Sequence, residues 1–164
     1  MSLELVTWKT ELWESGDPVR PDLGVDFKTA AGREVLGLKD ENGEWKAFMC
    51  YARTKEIPHN VEELADFTCP EGTFLIPYTV WSHKKGAGRE IINEVLKMAK
   101  RPGSKIKRIV TLSPPTAMAK KFHLRNDAIE LRVNAETVNF EYIIQDQDSC
   151  SACECNPCDC SWGN

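Results

Sequence analysis

The stretch GTFLIPYTVW, residues 72–81, feeds HKKGAGR, residues 83–89, and then a helix-patterned segment, EIINEVLKMAKR. This succession constrains the fold more than any other part of the chain. Residues 72–81 are apolar at odd and even positions alike, as a strand covered on both faces requires. Two glycines then punctuate a turn. Ile91, Ile92, Val95, Leu96, Met98 and Ala99 recur at helical spacing with charges between them, and Arg101-Pro102-Gly103 ends that helix. KIKRIVTLS, residues 105–113, is the next strand. A strand–helix–strand crossover makes its two strands parallel neighbours. Pro77 sits inside the first of them with no N–H to give a ladder, which predicts a bulge or an open side at that point.

The flanks read differently. REVLGLKD and WKAFMCYART surround Asn42-Gly43, a hairpin signal, because both central residues of a type I′ turn take positive φ. Asn60 followed by Glu63 starts a short capped helix that ends before Cys69-Pro70. After Pro114-Pro115-Thr116, AMAKKFHLRN is a helix with Ala119 and Phe122 on its apolar stripe. IELRVNA and TVNFEYII form a second hairpin. In the first 30 residues, Leu3, Leu5 and Trp8 suit a short helix or a strand equally. The expected fold is α/β (α+β), a mixed and mostly antiparallel sheet of six or seven strands flanked by helices. The expected organisation is one domain over residues 1–146 and a polar, cysteine-rich tail over 147–164.

Charge is distributed unevenly. The 164 residues carry 21 Lys and Arg against 25 Asp and Glu, a net −4. Residues 81–125 hold twelve of those bases and only two acids, Glu90 and Glu94, so this window is +10 and the remainder −14. That split predicts one anion-binding face on an acidic body. With 41% hydrophobic and 28% charged residues the chain suits a single soluble core. No apolar run reaches the roughly 20 residues of a spanning helix. The N-terminus lacks a basic segment followed by an apolar one, so a cytoplasmic location is expected.

The basic window holds the most informative residues. In His83-Lys84-Lys85-Gly86-Ala87-Gly88-Arg89 the glycines let the backbone turn and present N–H groups, the helix start adds unpaired donors, and three cations add charge. These features suit a pyrophosphate. The ending of a Walker loop and the third glycine of a dinucleotide fingerprint are both missing, and the same residues also suit a plain turn on a basic face. A nucleic-acid partner is disfavoured, since the aromatics of the window, chiefly Trp81 and Phe122, suit the core rather than base stacking.

The order of strand, HKKGAG, helix, strand and SPPTAMAKKFHLRNDA resembles the GNAT superfamily of acyl-CoA-dependent N-acyltransferases over about residues 33–144. Gly86 and Gly88 match the glycines of the motif Q/R-x-x-G-x-G/A, with His83 at its Gln/Arg position. Thr116, Ala119, Phe122, His123, Asp127 and Ala128 align with N-x-x-A-x-x-F-Y-x-x-x-G-F, departing from it at Thr116, His123, Asp127 and Ala128. The resemblance implies a splayed central parallel pair of strands and an acetyl-CoA site. In that site His83, Lys84, Lys85, Gly86, Ala87, Gly88 and Arg89 would hold the pyrophosphate. Ile76, Tyr78 and Val80 would run beside the pantetheine arm. Thr116 would sit near the CoA tail, and Lys120 and Lys121 would meet the 3′-phosphate. His123 stands where the family's Tyr protonates the leaving thiolate, a role open to an imidazolium. The Glu that members often carry on the strand before the loop is missing, which leaves Glu71, with His59 and Glu56, as base candidates from upstream. The implied acceptor is a small-molecule or peptide amine. A degenerate, non-catalytic binding module is the alternative, and a monomer or homodimer is expected.

Five of seven cysteines fall at the end of the chain: Cys150, Cys153, Cys155, Cys158 and Cys160. Thiolates this dense suit Zn²⁺ or another soft metal. They lack the long separation between two C-x-x-C knuckles of usual zinc sites, so a strip of redox-sensitive thiols is the other reading.

Overall fold

A computed structural model describes residues 2–5 and 25–144 of the chain. Seven strands form one sheet, in the order β1-β2-β3-β4-β5-β7-β6. They are β1 (Ser2–Leu5), β2 (Arg33–Lys39), β3 (Trp45–Thr54), β4 (Phe74–Ser82), β5 (Arg108–Val110), β6 (Ile129–Val133) and β7 (Val138–Tyr142). Among the described residues four helical elements accompany them: the single turn α1 (Val25–Lys28), α2 (Val61–Phe67), α3 (Ala87–Lys100) and α4 (Ala117–Arg125). Every neighbouring pair is antiparallel except β4 and β5. The mixed α+β sheet with one central parallel pair is therefore as expected; β1 places Leu3 and Leu5 on a strand, and Trp8 lies outside the described residues. No helix of the described residues is long and apolar enough to cross a membrane.

The sheet separates two cores. On one face Leu36, Met49, Leu75 and Ile109 pack against Ile91, Ile92 and Val95 of α3, with Phe122 of α4 against the same cluster. On the other, Phe48, Ile76, Tyr78 and Leu112 pack with Leu64 of α2 and Phe27 of α1. Asn60 caps α2 through its Oδ1, which accepts the Glu63 N–H at 2.7 Å, while Glu63 accepts the His59 N–H at 2.8 Å. The Asn60 half is the cap that the spacing predicts; the reciprocal bond falls one residue earlier, on His59 rather than on Asn60.

The first hairpin departs from expectation. Gly43 takes φ 81, but Asn42 has no positive φ, so the turn is not type I′. The side chain of Asp40 explains the change. Its Oδ1 accepts the N–H groups of Asn42 and Glu44 at 2.8 and 3.0 Å, and Gly43 N–H donates to the Asp40 carbonyl at 3.1 Å. An Asx-type turn with one left-handed glycine replaces two left-handed residues.

The region that positions the site is the middle of β4. Cys50 pairs with Thr79 and Tyr51 with Pro77, which leaves Tyr78 as an extra residue on β4. The bulge predicted from Pro77 is thus present. It reverses the alternation of the strand, so Tyr78 and Trp81, three apart, both face the second core.

Candidate functional site

β4 and β5 are joined by ladder pairs only at Phe74/Arg108 and Leu75/Ile109, with a further bond from Leu112 N–H to the Pro77 carbonyl at 2.9 Å. Beyond Pro77 the two strands follow different partners. β4 stays with β3 as far as His83, whose N–H donates to Lys46 at 2.8 Å. The chain after β5 stays with β7, through Thr111 N–H to Phe140 at 2.7 Å and reciprocal bonds between Ser113 and Val138 at 2.9 Å. Between them opens a cleft of about 400 Å³, lined by β4 from Pro77 to Ser82, by Ser113, and by residues of α3 and α4 such as Gly88, Thr116 and Phe122. Antiparallel ladders alternate, and the bond from His83 fixes their phase. The N–H and C=O groups of Val80 and Ser82 therefore point away from β3, toward the opening.

The loop at the cleft mouth is built by two glycines with different tasks. Gly86 precedes α3 at φ 82, and a Cβ added there would meet no atom within 4 Å. Its demand is purely conformational. Gly88 lies inside the first turn of α3, where a Cβ would stand 2.9 Å from the Phe122 ring. Its demand is space, and it lets α4 lie close to α3. Gly86 supplies no side-chain cap; the Ala87 N–H turns back to the Lys84 carbonyl at 3.1 Å, and the N–H groups of Gly88 and Arg89 remain as donors at the positive end of the helix.

The cations around this mouth are not equivalent. Lys84 Nζ lies 2.5 Å from Asp40 Oδ2 and 3.5 Å from Glu44, so it ties the loop back to the first hairpin. The hydrogen bond from Lys84, helped by the N–H of Glu44, holds the Asp40 carboxyl down at about 2. Lys85 and Arg89 are exposed and form no ion pair among the described residues. His83 is exposed and edge-on to Phe48, 5.5 Å between ring centres. On α4, Lys120 is 3.6 Å from Glu130 and Lys121 is exposed. Thr116 lines the cleft, and its Oγ1 caps α4 by accepting the Ala119 N–H at 3.1 Å.

Other expected residues fall elsewhere. Ile76 is fully buried in the second core, below the opening, whereas Tyr78 and Val80 line the cleft. Glu71 lies exposed on the turn before β4. Six residues separate it from Pro77, about 20 Å at ~3.3 Å per extended residue, and it is not brought to the cleft. His59 pairs with Glu63 at 3.2 Å on the start of α2, also outside the lining. No carboxylate is among the lining residues. The five tail cysteines lie outside the described residues, and among the described residues no cluster of metal-ligating side chains occurs.

His123 is placed against the cleft, but in a setting that the sequence does not reveal. It is 6% exposed. Nε2 lies 3.0 Å from Ser113 Oγ, and Nδ1 lies 2.7 Å from the Tyr142 hydroxyl. Ser113 in turn is 2.8 Å from Thr111 Oγ1, which accepts the Phe140 N–H at 3.1 Å. The imidazole stacks on Phe140 with ring centres 5.0 Å apart. Burial pushes His123 down to about 4, so the ring is neutral at pH 7 and is not the charged donor anticipated for it. Burial, then the charge of Asp127, pushes the Tyr142 hydroxyl up, so it too keeps its proton. The result is a neutral chain of exchangeable protons, Tyr142–His123–Ser113–Thr111, with Ser113 in the cleft wall. Sequence reasoning passed over Ser113 and Tyr142. The available signal for Ser113 was its place at the end of a parallel strand, immediately before a helix. Tyr142 lies 19 residues from His123 and left none.

No protein-family model matches the chain, and no curated protein matches it by sequence. Solved structures do match. A malonyl-CoA decarboxylase from Agrobacterium vitis superposes with a TM-score of 0.69 at 15% identity, over 95% of this chain and 63% of that one. The chain thus spans less than two thirds of that protein. The GNAT domain of PAT from S. lividans superposes at 0.57 with 14% identity, over 85% of this chain and 88% of that one. A GNAT-like decarboxylase, GphF, solved in complex with isobutyryl-CoA, gives 0.56 at 14% identity, over 68% of this chain and 78% of that one. At such identities the likeness concerns architecture, and in architecture the chain is GNAT-like.

Proposed function

We propose that the chain binds an acyl-CoA thioester in the β4–β5 cleft and transfers its acyl group, acetyl in the first instance, to a primary amine. The observation that carries this reading is the opening of β4 from β5 beyond Pro77, with the uncapped start of α3 at its mouth. An extended, amide-bearing chain ending in phosphates fits such an opening. Val80 and Ser82 offer backbone groups for the amides. The N–H groups of Gly88 and Arg89 in the first turn of α3, with the side chains of Lys85 and Arg89, offer donors and charge for a pyrophosphate. Lys120 and Lys121 are in reach of a further phosphate. Lys84 contributes by holding the loop, since its ammonium is already paired.

The CoA thioester supplies an activated acyl group. The chain's own residues orient it and manage protons. A Val80 or Ser82 N–H aimed into the opening polarises the thioester carbonyl. Ser113, held in place by the neutral His123–Tyr142 pair, donates a hydrogen bond to the departing sulfur, and the thiolate takes up the proton that the amine sheds, through water. With no carboxylate among the described residues of the cleft wall, the amine sheds its proton to water or arrives neutral.

One observation favours a second reading, decarboxylation of a malonyl-type thioester. Among the described residues the cleft is lined by no carboxylate base, which amine acylation uses and carbon dioxide loss does not need. Neutral donors such as Ser113 would serve the thioester enolate. Two of the similar structures are decarboxylases by name. The readings separate in one assay. Acetyl-CoA with a panel of amines should release free CoA, whereas malonyl-CoA alone would yield acetyl-CoA and carbon dioxide. Titration calorimetry with acetyl-CoA tests what both share. Absence of heat up to high micromolar ligand, or binding untouched by Lys85→Ala/Arg89→Ala, would sink the cleft assignment.

A further inference from the structure

The +10 window does not form one face. Lys85, Arg89, Lys120 and Lys121 lie at the start of α3 and along α4, near the cleft. Lys100, Arg101, Lys105 and Lys107 lie around the other end of α3, which a helix of 14 residues places about 20 Å away at ~1.5 Å per residue. All four are exposed, and none forms an ion pair among the described residues. Their neighbours Lys97 and Arg108 are paired, with Glu94 and Glu141. No Asp or Glu occurs between Glu94 and Asp127. This second patch is unused by a ligand in the cleft.

The described residues end beside it, at Ile144. Tyr142 pairs antiparallel with Ile109, so two further residues in that register set Ile144 beside Lys107. Ile106 and Ile144 pack against the same core cluster. Residues 145–164 then contain Asp146, Asp148, Glu154 and Asp159 and no Lys or Arg. Asp146 and Asp148 follow Ile144 by two and four residues, within about 7 and 14 Å at ~3.6 Å per residue.

We propose that the acidic, cysteine-rich segment 145–164 docks on the basic loop Lys100–Lys107 of its own chain. Each exposed pair is weak alone. The tether offsets this, because a segment that begins at the patch is held at an effective concentration near millimolar. Four carboxylates on four otherwise unpaired cations also leave this end of the molecule nearly neutral. The patch is then closed to nucleic acid and other polyanions.

Carbodiimide cross-linking of the full-length chain, with the linked peptides mapped by mass spectrometry, tests this. Lys46 and Glu90, 2.7 Å apart, are the internal control. The expected result is linkage of Asp146 or Asp148 to Lys105 or Lys107 within the monomer. Its yield should fall roughly tenfold between about 0.01 M and 1 M salt, as screening shortens from ~30 to ~3 Å. A control link without a tail link, a tail link indifferent to salt, or tail links confined to a dimer would each overturn the proposal. A second measurement is filter binding of single-stranded RNA. The quadruple variant Asp146→Asn/Asp148→Asn/Glu154→Gln/Asp159→Asn should retain RNA about tenfold more tightly than the native chain at low salt. Equal retention by the two would overturn the proposal as well.

Discussion

The two halves of the β4–β5 seam are made by the same pair of strands, yet they do opposite things. In the lower half, Phe74 and Leu75 pair with Arg108 and Ile109. Leu75 and Ile109 are each 1% exposed, and Arg108 is clamped to Glu141 by two hydrogen bonds of 2.8 and 2.6 Å. In the upper half the strands part, and a wall of neutral hydrogen-bonding groups takes the place of the ladder. The lower half is a packed core that tolerates little. The upper half presents unpaired backbone and a proton chain. A parallel pair can thus serve as anchor and as binding slot at once, provided that a bulge marks the boundary.

This contrast can be broken by substitution, with effects of decreasing size. Ile109→Ala, in the lower half, should cost about 3–4 kcal/mol in urea unfolding, through a cavity in the packed core rather than in the cleft. The upper half should respond to pH instead. His123 has an ordinary value of 6.5 and is held at about 4 in the fold. The unfolded chain therefore binds the extra proton first as pH falls. Stability is full above about 6.5 and should decline by about 3 kcal/mol on reaching pH 4, at 1.36 kcal/mol per unit. Unfolding measured at pH 7, 5.5 and 4 should show this decline in the native chain and a flatter profile in His123→Asn.

The glycines sharpen the comparison further. Gly88→Ala pushes a Cβ into Phe122 and should cost about 1–2 kcal/mol, recovered in part by Phe122→Leu. Gly86→Ala meets no neighbour but must hold φ 82, at a cost of about 1 kcal/mol that Phe122→Leu leaves untouched. Thermal unfolding of the two double variants distinguishes space from conformation. The smallest effect runs the other way. Asp127 holds φ 73 where the motif it resembles has glycine. Asp127→Gly should raise stability by up to about 1 kcal/mol in the same assay.

Much of the fold was legible because it rests on local rules. The apolar run before HKKGAG, the helical spacing of Ile91, Ile92 and Val95, and the Asn60/Glu63 cap are each confined to a few residues. Pro77 announced the bulge for the same reason: a missing N–H is a property of one residue. The first hairpin turn was misread where a side chain competed with the backbone. Asp40 accepts two N–H groups that a type I′ turn would leave to the ladder. The candidate site was legible where it is continuous in sequence, from His83 to Arg89, and illegible where it is assembled. The surroundings of His123 come from β5, α4 and β7, and the burial that keeps its ring neutral is a sum over three elements. Charge misled in one respect. The bases of the window are close in sequence, but α3 carries them to its two opposite ends, and Lys84 turns back to a hairpin about 40 residues upstream.

Pro77 has one more consequence. A strand residue directs its N–H and its C=O to the same neighbour. The Pro77 carbonyl receives Leu112 from the β5 side, so its nitrogen faces that side too and has no hydrogen to offer. The zipper between the two strands lacks a tooth there whether or not anything lies between them. The fork is therefore written into a covalent ring. A ligand entering it need not spend affinity on parting the strands, and the complex should form with little change in backbone shape.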